Sequence, residues 1–156
     1  MKKHIEKEAN RIADAIVELV ERADGPVTLT EVNRAVAGFA ANEPPFYSYV
    51  IEHAGDESVY WSDMTEAGEK AFEKVLLGRR IAIQFVNPLL YFLAGGGIMD
   101  ENWRPIVLLP ARAANLDSPK WLMRGSQDFI AIAMSKPGWR PLTPGPVRYT
   151  ADQFSL

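Results

Sequence analysis

The chain contains no cysteine, which excludes disulfides, thiolate metal ligands and cysteine nucleophiles and leaves nothing that points to an oxidising compartment. Histidine is nearly as scarce, with only His4 and His53 present. His4 sits near a terminus, so a catalytic triad or a histidine-rich metal site would have to be built on His53. Long apolar runs are missing too. The most apolar stretch, Ile81 to Ile98, is broken by Gln84, Asn87, Pro88 and Gly95-Gly96-Gly97, so it reads as buried core and not as a membrane span. Met1-Lys2-Lys3-His4 is basic, but the residues after it alternate charged with apolar positions and build no signal-peptide core. A cytoplasmic location is the expectation.

What is present is an ordinary globular composition. Across 156 residues, 47% are hydrophobic and 24% charged, far from the signature of disorder and long enough to bury a core without staples. The net charge of −3 conceals a split. Residues 1–76 hold 8 Lys/Arg against 15 Asp/Glu, net −7, while residues 77–156 hold 9 against 5, net +4. An acidic surface repels a phosphate backbone, so a nucleic-acid footprint belongs to the second half.

From Ile5 to Ala23 the apolar residues Ile5, Ala9, Ile12, Ile16, Leu19, Val20 and Ala23 recur at three- and four-residue spacing, the stripe of an amphipathic helix. Asp24-Gly25-Pro26 ends it. Thr28-Leu29-Thr30-Glu31 then places a hydroxyl at an N-cap and a carboxylate three residues on, a capping box for a short helix with Leu29, Val32, Val36 and Phe39 inward. Phe46 to His53 fits a strand by composition, yet Pro44-Pro45 before it and Gly55 after it also frame a helix. Ser58 to Trp61 reads as a strand, and Thr65 caps a helix that buries Ala67, Ala71, Phe72, Val75 and Leu76 and closes at Gly78.

A helix, a capped second helix, a third segment, a strand and then Met64-Thr65-Glu66-Ala67-Gly68 resemble a winged-helix repressor, most nearly the multiple-antibiotic-resistance regulator family, over residues 5–77. The resemblance implies a nucleic-acid-binding regulator with a recognition helix within Pro45 to Ala54 and a wing within Gly55 to Asp63. Neither segment contains a lysine or arginine.

In the second half, Arg80 to Val86, Ile106 to Leu109 and Phe129 to Met134 read as strands. Asn87-Pro88 and Ser118-Pro119 each begin a short helix. From Lys136 onward, prolines and glycines predict an extended or disordered arm. Trp103-Arg104, Lys120-Trp121, Trp139-Arg140 and Arg148-Tyr149 interleave aromatic with basic residues, a composition suited to single-stranded nucleic acid or an acidic protein surface, since bases stack on rings while cations meet phosphates. The first three pairs, with Arg112 and Arg124, form the candidate nucleic-acid-binding set. The bland alternative is indoles in the core with their basic neighbours reaching water. Phe46, Tyr47, Tyr49, Tyr60 and Trp61 either line a pocket or pack a core and hairpin. Glu52, His53, Asp56 and Glu57 read as solvated turn residues more readily than as a metal site. Ser62-Asp63 and Ser126 with Asp128 lack a base to activate a nucleophile. Gly95-Gly96-Gly97 lacks the Gly-Lys-Ser/Thr pattern of a phosphate cradle.

The sequence therefore predicts an α+β protein. A winged-helix-like helical part spans residues 1–78, and a smaller, basic, strand-containing, proline-rich part spans 79–156, as two parts or one continuous domain. The leading expectation is a non-catalytic regulator that binds nucleic acid and works as a dimer. The alternative is a protein-interaction or dimerisation module on the same fold. No cofactor, metal or membrane is expected.

Overall fold

The computed structural model describes residues 2–53, 56–93, 96–98 and 100–115. Its elements begin with helix α1 (Lys2–Arg22), whose stripe Ala9, Ile12, Ala13, Ile16 and Val20 is buried. A two-residue strand β1 (Val27–Thr28) runs directly into helix α2 (Leu29–Ala35). The capping box predicted at this junction forms: the Glu31 amide donates to Thr28 Oγ1 at 3.2 Å, and the Thr28 amide donates to Glu31 Oε1 at 3.3 Å. Two of the amides orphaned by the first turn are thereby satisfied. The segment Phe46 to His53, which composition left between helix and strand, forms strand β2 (Tyr47–His53), paired antiparallel with β3 (Asp56–Met64).

Thr65 caps helix α3 (Glu66–Leu77), its Oγ1 accepting from the Gly68 amide at 2.8 Å and donating to the Gly38 carbonyl. This links the start of α3 to the turn after α2. Strand β4 (Ile81–Phe85) follows, then helix α4 (Pro88–Leu93), whose first turn is held by Asn87 Oδ1 accepting from the Leu89 amide at 2.9 Å. Strand β5 (Ile106–Pro110) leads into a 3-10 turn at Ala111–Asn115. The chain is thus mixed α and β, with two of the three predicted second-half strands in place. The third, Phe129 to Met134, the helix expected from Ser118-Pro119 and the arm from Lys136 lie outside the described residues.

A three-stranded antiparallel sheet has the order β1-β5-β4. Val27 and Ile83 flank Leu108 on either side, so β5 is the middle strand and its five residues are buried. Both faces of β5 are covered, Ile106 and Leu108 joining the main core while Leu109 packs with Ala82 and Ala113, which explains the unbroken apolar run Ile106-Val107-Leu108-Leu109. Ile12, Ile16, Val32, Phe72 and Val75, expected in a shared core, lie in one buried cluster with Ile83 and Leu108. That cluster contains residues from both sides of position 78.

The Met64 to Gly68 stretch has a physical reason for its glycine. A Cβ on Gly68 would strike the Phe39 carbonyl oxygen, because α3 starts directly against the turn that follows α2. Gly68→Ala is therefore expected to lower stability by about 1–3 kcal/mol through overpacking against immobile backbone, against a gain for alanine in an unobstructed helix. Urea denaturation measures this. A stabilised Gly68→Ala variant would mean that the two segments are not in contact.

Candidate interaction surface

Of the eight residues predicted to contact nucleic acid, three lie in the described part. Trp103 is only 9% exposed and packs among Tyr91, Phe92 and Trp61 at centroid distances of 5.1, 6.1 and 6.4 Å. Gly97 lies against the indole so closely that a Cβ there would meet it at 2.5 Å. Trp103 thus fills the core, the position foreseen by the bland alternative. Arg104 is exposed, and its backbone amide donates to the Val59 carbonyl at 2.9 Å. Arg112 donates from Nη1 to Glu21 Oε2 of α1 at 2.7 Å. Lys120, Trp121, Arg124, Trp139 and Arg140 lie outside the described residues.

Helix α1 collects cations from the rest of the chain. Besides Glu21 with Arg112, Asp14 holds Arg80 at 2.8 Å and Glu6 holds Lys74. Lys74 also donates to Asn10 Oδ1 at 2.8 Å. The hydrogen bond from Lys74 keeps the Glu6 carboxyl below the usual carboxylate range, as the one from Arg11 does for Glu8. These pairs are solvent-exposed, so water and salt screen them and each contributes little to stability. Their importance lies in distribution, for two of them place the second-half Arg80 and Arg112 on acids of the first half.

On α3 the acids divide. Glu66 faces Lys70 at 4.0 Å. Glu69 and Glu73 form no ion pair with a described residue. Partial burial, followed by the charge of Glu73, raises the Glu69 carboxyl above its ordinary range. Its surroundings disfavour the charged form of the carboxyl.

The hairpin β2–β3 lies beside this helix. Tyr49, Tyr60 and Trp61 face inward and are buried. The Tyr49 ring meets Phe72 of α3 at 5.3 Å and Tyr60 at 6.2 Å, and Trp61 Nε1 donates to Asn33 Oδ1 at 3.3 Å. These three aromatics pack a core, and Tyr47 is half-buried. Phe46 and Val50 are instead 50% and 42% exposed. The edge of β3 away from β2 is occupied: Val59 bonds to Asn102 and Arg104, the Ala41 amide donates to Asp63 O, and the Thr65 amide beyond the strand donates to Phe39 O. No strand pairs with the other side of β2 among the described residues.

A polar cleft of about 390 Å³ lies between Glu57-Ser58 and Glu101 to Arg104. Glu52 and His53 stand opposite Glu57 and Asp56 at the end of the hairpin. No group of three or more His, Asp or Glu among the described residues is placed to hold a metal ion, and no helix there is long and apolar enough to cross a membrane. Of the triple glycine, Gly96 takes φ +153° and its carbonyl accepts from Thr30 Oγ1 at 2.8 Å, tying the segment to α2. Comparison with models of known protein families, with curated proteins and with solved structures finds no match.

The charge split of the sequence allows second-half cations to pair with first-half acids, but it does not name Asp14–Arg80 or Glu21–Arg112, because partners 66 to 91 positions apart leave no local pattern.

Proposed function

We propose that this chain is a non-catalytic protein-interaction module. The observation that carries this reading is the pairing of second-half cations Arg112 and Arg80 with Glu21 and Asp14 of α1. The +4 of one half is thereby partly neutralised by the −7 of the other within the fold, and less of it is left for phosphates. The exposed Phe46 and Val50, on or beside a strand whose one partner among the described residues is β3, supply a surface of the kind that proteins use to bind each other.

A second reading, the winged-helix-type regulator that binds nucleic acid, is favoured by Arg104, which is exposed and has no side-chain partner among the described residues. It would draw its remaining contacts from Lys120, Trp121, Arg124, Trp139 and Arg140. The helix order and the Thr65 cap support it. The strand β2 at the position of a recognition helix counts against it.

Fluorescence anisotropy with random duplex and single-stranded oligonucleotides at low salt separates the two. Non-specific binding of proteins to DNA has dissociation constants of about 10⁻⁴–10⁻⁶ M at physiological salt and tightens as salt falls. The interaction reading expects no saturable binding with the protein at tens of micromolar. Saturable binding that weakens steeply with salt, with a shallower slope in Arg104→Ala, would transfer the assignment to the second reading.

A further inference from the structure

We propose that the side of β2 that pairs with no strand among the described residues accepts an extended, cationic peptide segment of a partner protein as an added strand, with Glu69 and Glu73 of α3 contacting its basic side chains. This inference rests on the interaction-module reading and names the partner's chemistry.

A strand at the edge of a sheet presents unpaired amides and carbonyls. Natural proteins usually blunt such edges with lysine, proline or very short strands. Strand β2 is seven residues long and contains no Lys, Arg or Pro. The bulges between Tyr47 and Val50 twist its first half, but Val50 to His53 stay in regular register with Val59 to Asp56. At least this second half offers a template for strand addition, in which main-chain hydrogen bonds provide affinity and alternate side chains provide selectivity. Phe46 and Val50 are exposed where an added strand would cover apolar surface.

Charge selects the occupant. Tyr49 of β2 rests on Phe72 of α3. Glu69 lies one helical turn before Phe72 and Glu73 directly follows it, so both carboxylates belong to the stretch of α3 on which the hairpin rests. On α1 and α3, Glu6, Glu8, Asp14, Glu18, Glu21 and Glu66 all have a cation within 4.0 Å. Glu69 and Glu73 have none among the described residues. Burial of Glu69 beside a like charge is a standing cost that a bound cation relieves. A second copy of this chain would bring the same two carboxylates to the interface and repel, and a nucleic-acid phosphate would be repelled as well.

The test uses the full chain and a fluorescein-labelled peptide of about nine residues alternating lysine with valine, a length that spans one ordinary strand. Its controls are the glutamate–valine counterpart and a lysine–valine peptide with proline at its centre. Saturable binding of the first is expected, with both controls at least about tenfold weaker, since one lacks the charge and the other a strand's hydrogen bonds. Glu69→Gln with Glu73→Gln should weaken binding about fivefold or more, and Val50→Lys should weaken it further by placing a cation on the edge. Hydrogen exchange should slow at amides of Val50 to His53 on binding, which mere attraction to an acidic surface would not produce. The substituted side chains are exposed or partly exposed, and thermal melting confirms that the variants fold. Equal binding of the two charge types, unchanged binding by the Gln variant, or protection elsewhere in the chain overturns the proposal. If the peptide does not bind while sedimentation shows a dimer that Val50→Lys dissociates, the occupant is a second copy and only the interaction reading survives. Absence of both, with oligonucleotides bound, removes that reading as well.

Discussion

Phe72→Ala is expected to lower the free energy of unfolding by about 3–5 kcal/mol, the usual loss for a buried phenylalanine truncated without collapse of its surroundings. Phe72 is fully buried, and its ring stands edge-on to Phe39 at 6.4 Å and to Tyr49 at 5.3 Å. It therefore joins three segments: the turn after α2, the hairpin and α3 itself. Each edge-to-face pair adds about 0.5–1.5 kcal/mol beyond area burial, so both lost transfer energy and lost ring contacts contribute. Urea denaturation should show a lower midpoint with an unchanged slope, and the melting temperature should fall by roughly 10 °C or more. The proposed strand-addition edge should suffer with it, because Tyr49 loses the ring on which β2 rests. A loss below about 1 kcal/mol would mean that the hairpin does not rest on α3.

Tyr91→Phe, which deletes a single oxygen, should cost about 2–4 kcal/mol. The Tyr91 hydroxyl is buried between three elements. It accepts from the Leu29 amide at 2.9 Å, satisfying an orphan donor in the first turn of α2, and donates to the Ile106 carbonyl of β5. Phenylalanine leaves both backbone groups buried and unpaired, and each such group costs about 1–3 kcal/mol. The same burial raises the phenol well above its ordinary range. A raised folded value means that the folded state holds the proton more tightly than the unfolded chain does. This contribution is fully present below the unfolded value of about 10 and is lost as pH rises beyond it. Spectrophotometric titration near 295 nm should accordingly show the Tyr91 phenol ionising only once the chain is unfolded in urea. In Tyr91→Phe the difference between native and unfolded titrations should shrink by one tyrosine while the melting temperature falls. A native phenol at position 91 that titrates near pH 10 would place the hydroxyl in solvent and refute the bridge.

Much of the local architecture was legible because the groups that decide it are neighbours in sequence. The stripe from Ala9 to Val20, the Thr28–Glu31 box, the Thr65 cap and the Asn87 cap each satisfy or bury groups within one or two turns. Their chemistry needs nothing from the rest of the chain. The absence of cysteine and the unequal charge of the two halves were equally plain. Tertiary structure decided whatever depends on partners far away. Phe46 to His53 satisfies helix and strand signals alike, and it is a strand because β3 meets its backbone and Phe72 receives Tyr49. Trp103 and Arg104 are adjacent in sequence, yet the indole lies in the core and the guanidinium outside it. Arg112 carries the same charge in any fold, and only the approach of Ala111–Asn115 to α1 gives it to Glu21. Caps and stripes close over a few residues at small entropic cost, whereas strand pairing and ion pairing across the chain must first close long loops. Which of those loops close depends on the packing of the whole core, so no short window of sequence records it.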